Sequence, residues 1–368
     1  MQSETIQKDL QVTAHLDEAR RQLDICNACR YCEGYCSVFP AVHSSRSFAT
    51  GDLNQLANLC HNCRGCYYAC QYTAPHEFQI NLPKALAEVR QDSWEEFAFP
   101  QAAARMFQRS GVVLAIATVI GLALLIGALK WLGSAGGEGF YASLSHNMMV
   151  AIFAPAFLFP LFSLGVSVKR YWQATGGGSV RTKDIVDALQ SVFQMKNLAG
   201  GHGDGCNFED EDRFTRARQM AHQLIMYGFL LCFAATSVGT LMHYFFNMPA
   251  PYPLFSLPKL LGVPGGIMLT FGTVWMASLK LKADKELGDV SAWGGEMAFI
   301  LLLGFVAFSG LLLYVLGTTA LMPSMLAIHL GAVLAFFLLT PYSKMAHGFY
   351  RLASLVRDAK RKNDLQQQ

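Results

Sequence analysis

The chain has 368 residues, 52% apolar and only 15% charged, with a mean hydropathy of +0.28 and a formal net charge of +3. Soluble globular proteins run near about 45–50% apolar and about a quarter charged, which excludes an ordinary soluble protein. The bias is also uneven: residues 1–104 are charged and hold eight of the ten cysteines, whereas 111–341 are mostly long apolar runs. A composition shift near Arg105 therefore divides the chain into a soluble head, 1–104, and a membrane part, 105–368.

The first thirty residues are polar and lack the apolar core of a secretory signal, so the head is expected on the cytoplasmic side. Cysteines at tight, regular spacing in that compartment favour metal binding over disulfides. Here Cys26-x2-Cys29-x2-Cys32-x3-Cys36 recurs as Cys60-x2-Cys63-x2-Cys66-x3-Cys70. Such spacing lets three sulfurs of one tight loop reach three irons of a cubane, while the fourth cysteine reaches the other cluster. The expected ligand sets for two 4Fe–4S clusters are Cys26, Cys29, Cys32 and Cys70 for one, and Cys60, Cys63, Cys66 and Cys36 for the other. Zinc sites are the alternative, but zinc usually takes two separated cysteine pairs, whereas each group here supplies four cysteines alone.

No proline directly follows the fourth cysteine of either run; Pro40 and Pro75 come a few residues later. Leu53, Leu56, Ala57 and Leu59 between the runs have helical rather than alternating spacing. The head is therefore expected to be helical and ferredoxin-like, closed by an amphipathic helix over Asn81–Phe97 that turns Leu82, Ala85, Leu86 and Val89 inward.

Six stretches then reach the roughly 20 residues that a bilayer crossing needs: about 111–132, 147–168, 221–246, 258–279, 297–321 and 324–341, the last extendable toward His347. The links 133–146, 247–257 and 317–324 contain no Lys or Arg, whereas 169–220 holds eight, 280–296 three and the tail after Pro341 six. Basic links alternate with neutral ones, so the positive-inside rule puts both termini and the 169–220 loop in the cytoplasm, with the chain multi-pass in the inner membrane. The fold class is all-α: a two-cluster head followed by a six-helix transmembrane bundle.

Ligating residues at membrane depth are functional candidates. His222 starts the third span and His243 ends it; His329 lies a turn into the sixth, and His347 at its far end. In antiparallel spans His222 is level with His347, and His243 with His329. Eighteen residues are five helical turns, so His329 and His347 share a face if the helix is continuous. This suits one or two bis-histidine b-type haems, with His146 in reserve for the outer pair. The bland alternative is a set of interface histidines wet by headgroups. The head histidines His15, His43, His61 and His76 are read as structural, with His61 and His76 close enough to tune a cluster. Cys232 reads as packing, and Cys206 as an ordinary free thiol.

Gly200-Gly201-His202-Gly203-Asp204-Gly205-Cys206 resembles the start of a dinucleotide fingerprint but lacks the strand–turn–helix context. A loop contacting the head or a partner, or a solvated connector, replaces that reading. Nucleic acid is not an expected partner.

The double cysteine motif, the Gly-Gly-x-Gly-x-Gly-Cys-Asn stretch at 200–207 and the six spans together resemble the tricarballylate/citrate utilisation protein B family over nearly the whole chain. That resemblance implies a protein that reoxidises the FADH2 of a separate flavoprotein, tricarballylate dehydrogenase, and passes electrons through iron–sulfur clusters and haem to the quinone pool. It implies an electron-transfer subunit of an oxidoreductase rather than a stand-alone enzyme. The residues agree, since no flavin or nicotinamide fingerprint occurs here and clusters suit relay from a two-electron flavin. The alternatives are service to another flavin-dependent dehydrogenase, a membrane redox sensor and a transporter. A sensor lacks an effector domain, and a transporter lacks evident inverted repeats.

Overall fold

The computed structural model describes residues 2–36, 38–132, 144–209 and 211–367. Positions 133–143 of the first neutral link and Asp210 of the acidic run at 209–212 lie outside the described residues. The architecture is all-α. Among the described residues the only β-type pairing is an isolated antiparallel bridge between Cys206 and Thr215.

The head contains α1 (Gln2–Cys29), α2 (Phe39–His43), α3 (Thr50–Leu59), α4 (Gly65–Tyr68) and α5 (Leu82–Phe97). Asn81 caps α5, its side chain accepting from the Lys84 amide at 3.2 Å, and Pro83 in the first turn sacrifices no helical hydrogen bond. Leu82, Ala85, Leu86 and Val89 are all buried, on the face that the 3.6-residue period selects. They join Leu23 of α1 and Leu53 and Leu56 of α3 in the head core.

The remaining helices are α6 (Gln101–Leu132), α7 (His146–Ala174), α8 (Thr182–Gln194), α9 (Ala217–Phe246), α10 (Leu257–Lys282), α11 (Trp293–Val315), α12 (Met322–Leu339) and α13 (His347–Leu365). Six stretches are long and apolar enough to cross a membrane: Ser110–Ala128 of α6, and α7, α9, α10, α11 and α12. Ser110 is non-helical (φ −144°, ψ 30°), so α6 kinks where the head helix becomes a membrane helix. Helices α9 and α10 approach closely at glycines. A Cβ on Gly228 would lie 2.7 Å from the Leu269 nitrogen, and one on Gly265 would lie 2.8 Å from Leu231 Cβ. Small residues are what let helix backbones approach where lipid removes the hydrophobic drive.

Two findings change the sequence reading. First, the sixth span does not run on to His347. Helix α12 stops at Leu339, a turn follows, a short 3-10 segment spans Lys344–Ala346, and α13 begins at His347. Pro341 explains the break, because it has no amide to donate and its ring clashes with the preceding turn. The five-turn relation between His329 and His347 therefore does not hold. Second, the head is not a separate body. Ala188 of α8 and Leu355 and Val356 of α13 are buried in the same apolar core as Leu23 and Leu53. Arg357 reinforces that contact, pairing with Asp52 at 2.8 Å and donating to Gln55 Oε1 at 2.5 Å.

Candidate functional site

The eight cysteines of the head are brought into two groups of four. Cys26 and Cys29 end α1, Cys32 lies in the following turn, and Cys70 comes just after α4. These four border one small cavity with Ile25, Arg30, Tyr31, Gln71, Tyr72 and Ile80. Cys26 and Cys32 are buried, but Tyr31 at the rim is 66% exposed, so this group stands close to the surface. Burial, and then the neighbouring thiols, push the Cys26 thiol up; the same causes raise Cys32 to about 11.

Cys36, Cys60, Cys63 and Cys66 form the second group, with Cys63 buried and the other three half-buried. Cys60 caps α3, Cys66 lies in α4, and Cys36 follows a 3-10 turn over Glu33–Tyr35. Burial pushes the Cys36 and Cys66 thiols well above the usual range, and Cys60 and Cys63 are among the neighbours that add to it. Thiols packed this way ionise together only against a compensating positive charge, which is what iron supplies. Among the described residues no three His, Cys, Asp or Glu side chains converge on one point as a single ion requires. The first four thiols instead surround a space, as cubane ligands would.

Local backbone geometry serves both groups. Arg30, Asn62 and Arg64 sit in the cysteine loops with positive φ of 57°, 51° and 67°. Non-glycine residues adopt that region rarely, and mostly where function demands a tight turn. The turns also aim amides at sulfur: Val38 N to Cys36, Asn62 N to Cys60 and Tyr72 N to Cys70, each at 3.4 Å. Such bonds favour the thiolate and tune a cluster bound to it.

The Gly-rich loop closes over the second group. Gly201 N donates to Tyr35 O at 3.2 Å and Asn207 N to Cys63 O at 2.8 Å. A Cβ on Gly201 would stand 1.9 Å from the Gly34 oxygen, so no other residue fits there unless the loop moves. Cys206 is 1% exposed, donates to Leu198 O at 3.2 Å and packs with Cys63 in one apolar cluster. The glycines thus serve close approach of two backbones, and the loop is a contact with the head rather than a solvated connector.

On the far side of the second group stand the inner histidines. His222 of α9 and His347 of α13 face each other with ring centroids 5.9 Å apart at 82°. His347 Nδ1 bonds to the Lys344 carbonyl, which fixes the tautomer and leaves Nε2 as a ligand atom. His222 Nδ1 is buried without a hydrogen-bond partner. An orphaned buried nitrogen opposite an oriented imidazole fits an axial pair for haem iron.

The outer histidines are arranged differently. His243 stacks on His146, centroids 4.1 Å apart at 22°, and His146 Nε2 lies 2.9 Å from the Tyr244 hydroxyl. His329 is held by α11, with Nδ1 3.0 Å from Ser309 Oγ and the ring against Gly310. The structure therefore does not join His243 to His329. One turns toward the start of α7, and the other is engaged with α11.

In the head, His15 bonds to Asp92 at 2.7 Å and His43 pairs with Glu33 at 3.0 Å, while His76 Nδ1 accepts from the Phe78 amide. His61 lies between the second cysteine group and the inner histidines, Nδ1 2.6 Å from Leu59 O. Burial, then Arg351, hold it well below the usual histidine range, so it stays neutral. The residues that sequence reasoning missed are arginines: Arg64, Arg90, Arg218 and Arg351, all directed at the Cys60–Cys63 loop or its supports. A signal existed, since Arg218 and Arg351 stand four residues from His222 and His347, on the same helix faces.

With the cysteine pairs, the membrane helices and the Gly-rich loop in place, the comparisons with known proteins become specific. Residues 19–96 match the Citrate utilization protein B Fer4-like domain, and 99–367 match Citrate utilization protein B. The chain belongs to the citrate utilization protein B family. Citrate utilization protein B of Escherichia coli is 44% identical over 346 residues, covering 92% of this chain and 91% of that protein. No solved structure matches the chain. As a member of the citrate utilization protein B family, it combines a Fer4-like head with six membrane-length helices.

Proposed function

We propose that this chain is a membrane electron-transfer subunit that reoxidises the flavin of a partner dehydrogenase and delivers electrons to quinone. The Escherichia coli relative is named for citrate utilization, which supports a partner acting on a tricarboxylate, and tricarballylate dehydrogenase is the partner proposed. The observation that carries the reading is that the second thiol group and the histidine pair share a support: Arg351 donates to the Cys60 carbonyl and stands four residues from His347, which faces His222.

The eight head cysteines would hold two 4Fe–4S clusters, and His222 with His347 would hold a b-type haem; bound there, these groups supply one-electron carriers. Each set of residues then has a distinct task. The rim formed by Tyr31, Arg30 and Gln71 leaves the first group within reach of a partner's flavin. The Gly-rich loop and α13 shield the second group from water. The carbonyl of Lys344 orients His347, and the break at Pro341 lets that histidine face His222. A second haem at the outer side is less supported: His146 and His243 are stacked too closely for an atom to stand between them. Both termini and the 169–220 loop would lie on the cytoplasmic side of the inner membrane, by the distribution of Lys and Arg.

Iron, sulfide and haem quantification on detergent-purified protein is the direct test, followed by reduction with the flavoprotein and reoxidation with a quinone. About eight irons per chain, b-type bands that bleach and return, and quinone-dependent reoxidation are expected. Zinc in place of iron, or iron with no haem, would break the relay at a known point.

A further inference from the structure

Three arginines from three different helices end on one short stretch of backbone. Arg90 of α5 donates to the carbonyls of Ala57 at 3.4 Å and Cys60 at 3.0 Å. Arg351 of α13 donates to Asn58 O at 3.1 Å and Cys60 O at 2.9 Å. Arg218, at the start of α9, donates to Asn62 O at 2.8 Å. None of the three forms an ion pair with a carboxylate among the described residues. Glu296, the carboxylate that acts on Arg351 through space, already bridges Lys280 and Lys344.

Helix capping does not account for this. The last carbonyls of α3 need donors, and the helix end carries about half a negative charge. Arg90 and Arg351 meet that need at Ala57 and Asn58, but Arg218 ends beyond the helix, on the Asn62 carbonyl. Three guanidiniums leave an excess of positive charge around this segment, with Arg90 only 7% exposed and Arg218 and Arg351 half-buried. The rings of Trp94 and Phe208 under Arg90 and Arg218 offset part of it, and charge away from water persists only when something compensates it. The enclosed segment carries Cys60 and Cys63. Among the described residues the first cysteine group has nothing comparable: the one cation lining it is Arg30, which is exposed and turned back onto the Asn27 carbonyl at 2.9 Å.

We propose that Arg90, Arg218 and Arg351 form a cationic girdle that raises the reduction potential of the cluster held by Cys36, Cys60, Cys63 and Cys66 above that of its neighbour. This rests on the reading that both cysteine groups hold 4Fe–4S clusters. Burial alone would work the other way, since reduction adds one negative charge to an already anionic group in a place with little water. The girdle outweighs that penalty. In the step it controls, one electron leaves the surface site and enters the enclosed one, no bond is made or broken, and no proton moves. Because Arg218 and Arg351 lie one turn from His222 and His347, the girdle also stands between the enclosed site and the histidine pair. Charge is thus drawn inward from the partner and not back to it.

The test is a redox titration of the full-length protein in detergent, followed by paramagnetic resonance with iron counted in each sample. Wild type should show two reduction waves. In Arg90→Gln, Arg218→Gln and Arg351→Gln the higher wave should move to lower potential while the lower stays. Arg351→Lys, which keeps the charge, should retain most of the wild-type value. The girdle is refuted if the higher wave stays put in all three Gln variants, if both waves move together, or if Arg351→Lys shifts as far as Arg351→Gln. Loss of iron in a Gln variant whose Lys counterpart keeps it supports the charge role; loss in both overturns it. Wild-type protein without two clusters' worth of iron removes the underlying reading, whatever the arginines do.

Discussion

The two cysteine groups have the same spacing and the same residue type, yet they sit in opposite surroundings. The first is a lip at the surface, made by the end of one helix and the turn after it, with an exposed tyrosine at its edge. The second is flanked by arginines from α5, α9 and α13 and bonded to the Gly-rich loop. A repeated motif therefore does not mean a repeated site. What the spacing encodes is the reach of the sulfurs; what distinguishes the sites comes from parts of the chain far away in sequence. An asymmetric pair of this kind suits a relay, where one end must meet a partner and the other must hand on.

Substitutions at the cysteines should divide the pair most sharply. Cys66→Ser should halve the iron content, abolish quinone reduction and loosen α13, as read by limited proteolysis. Cys29→Ser should also halve the iron but leave α13 docked. Equal protease sensitivity in the two variants would erase the asymmetry. Next in size is the inner histidine pair. His347→Ala or His222→Ala should remove the b-type bands while both clusters remain reducible, whereas His329→Ala should leave those bands in place. Normal quinone reduction in His347→Ala would sink the inner ligand assignment.

A smaller change is expected from Gly201→Ala, whose Cβ must displace the Gly34 carbonyl. Forcing extra volume into packed structure costs about 1–3 kcal/mol, visible as a lower melting temperature and faster hydrogen exchange at 200–207. The smallest effect concerns pH and the contact between α1 and α5. His15 of α1 is raised above its ordinary value of 6.5, first by its hydrogen bond to Asp92 on α5. A raised histidine stabilises fully below the unfolded value, and the contribution fades as pH climbs through the folded one. At this half-exposed site solvent screening leaves less than about 1 kcal/mol. Exchange in α1 around His15 should therefore quicken above neutrality in wild type but not in His15→Gln.

The general plan was legible because it is written in local patterns. Eight cysteines at fixed intervals and six long apolar runs need no tertiary information, and Leu82, Ala85, Leu86 and Val89 mark the buried face of α5 by period alone. The histidine pairing was only half legible. Counting turns from His329 to His347 assumed an unbroken helix, although Pro341 between them was the sign that it breaks. His222 and His347 still meet, because the break redirects the chain without carrying it away. The head contact of the Gly-rich motif was not legible at all: Gly201 is explained by Gly34 and Tyr35, which no local reading could connect to it.

Leu355 and Val356 occupy the same core as Leu23 and Leu53, and this has a consequence for how the protein is made. A ribosome delivers the cysteine region first and α13 last, so the head lacks part of its interior until all six membrane helices have emerged. Cofactor loading should then follow membrane insertion, with the tail acting as the latch that ends maturation. Chains truncated before His347 should insert into the membrane yet acquire less iron at the enclosed site than at the surface one, a difference that iron counting on the truncated protein would reveal.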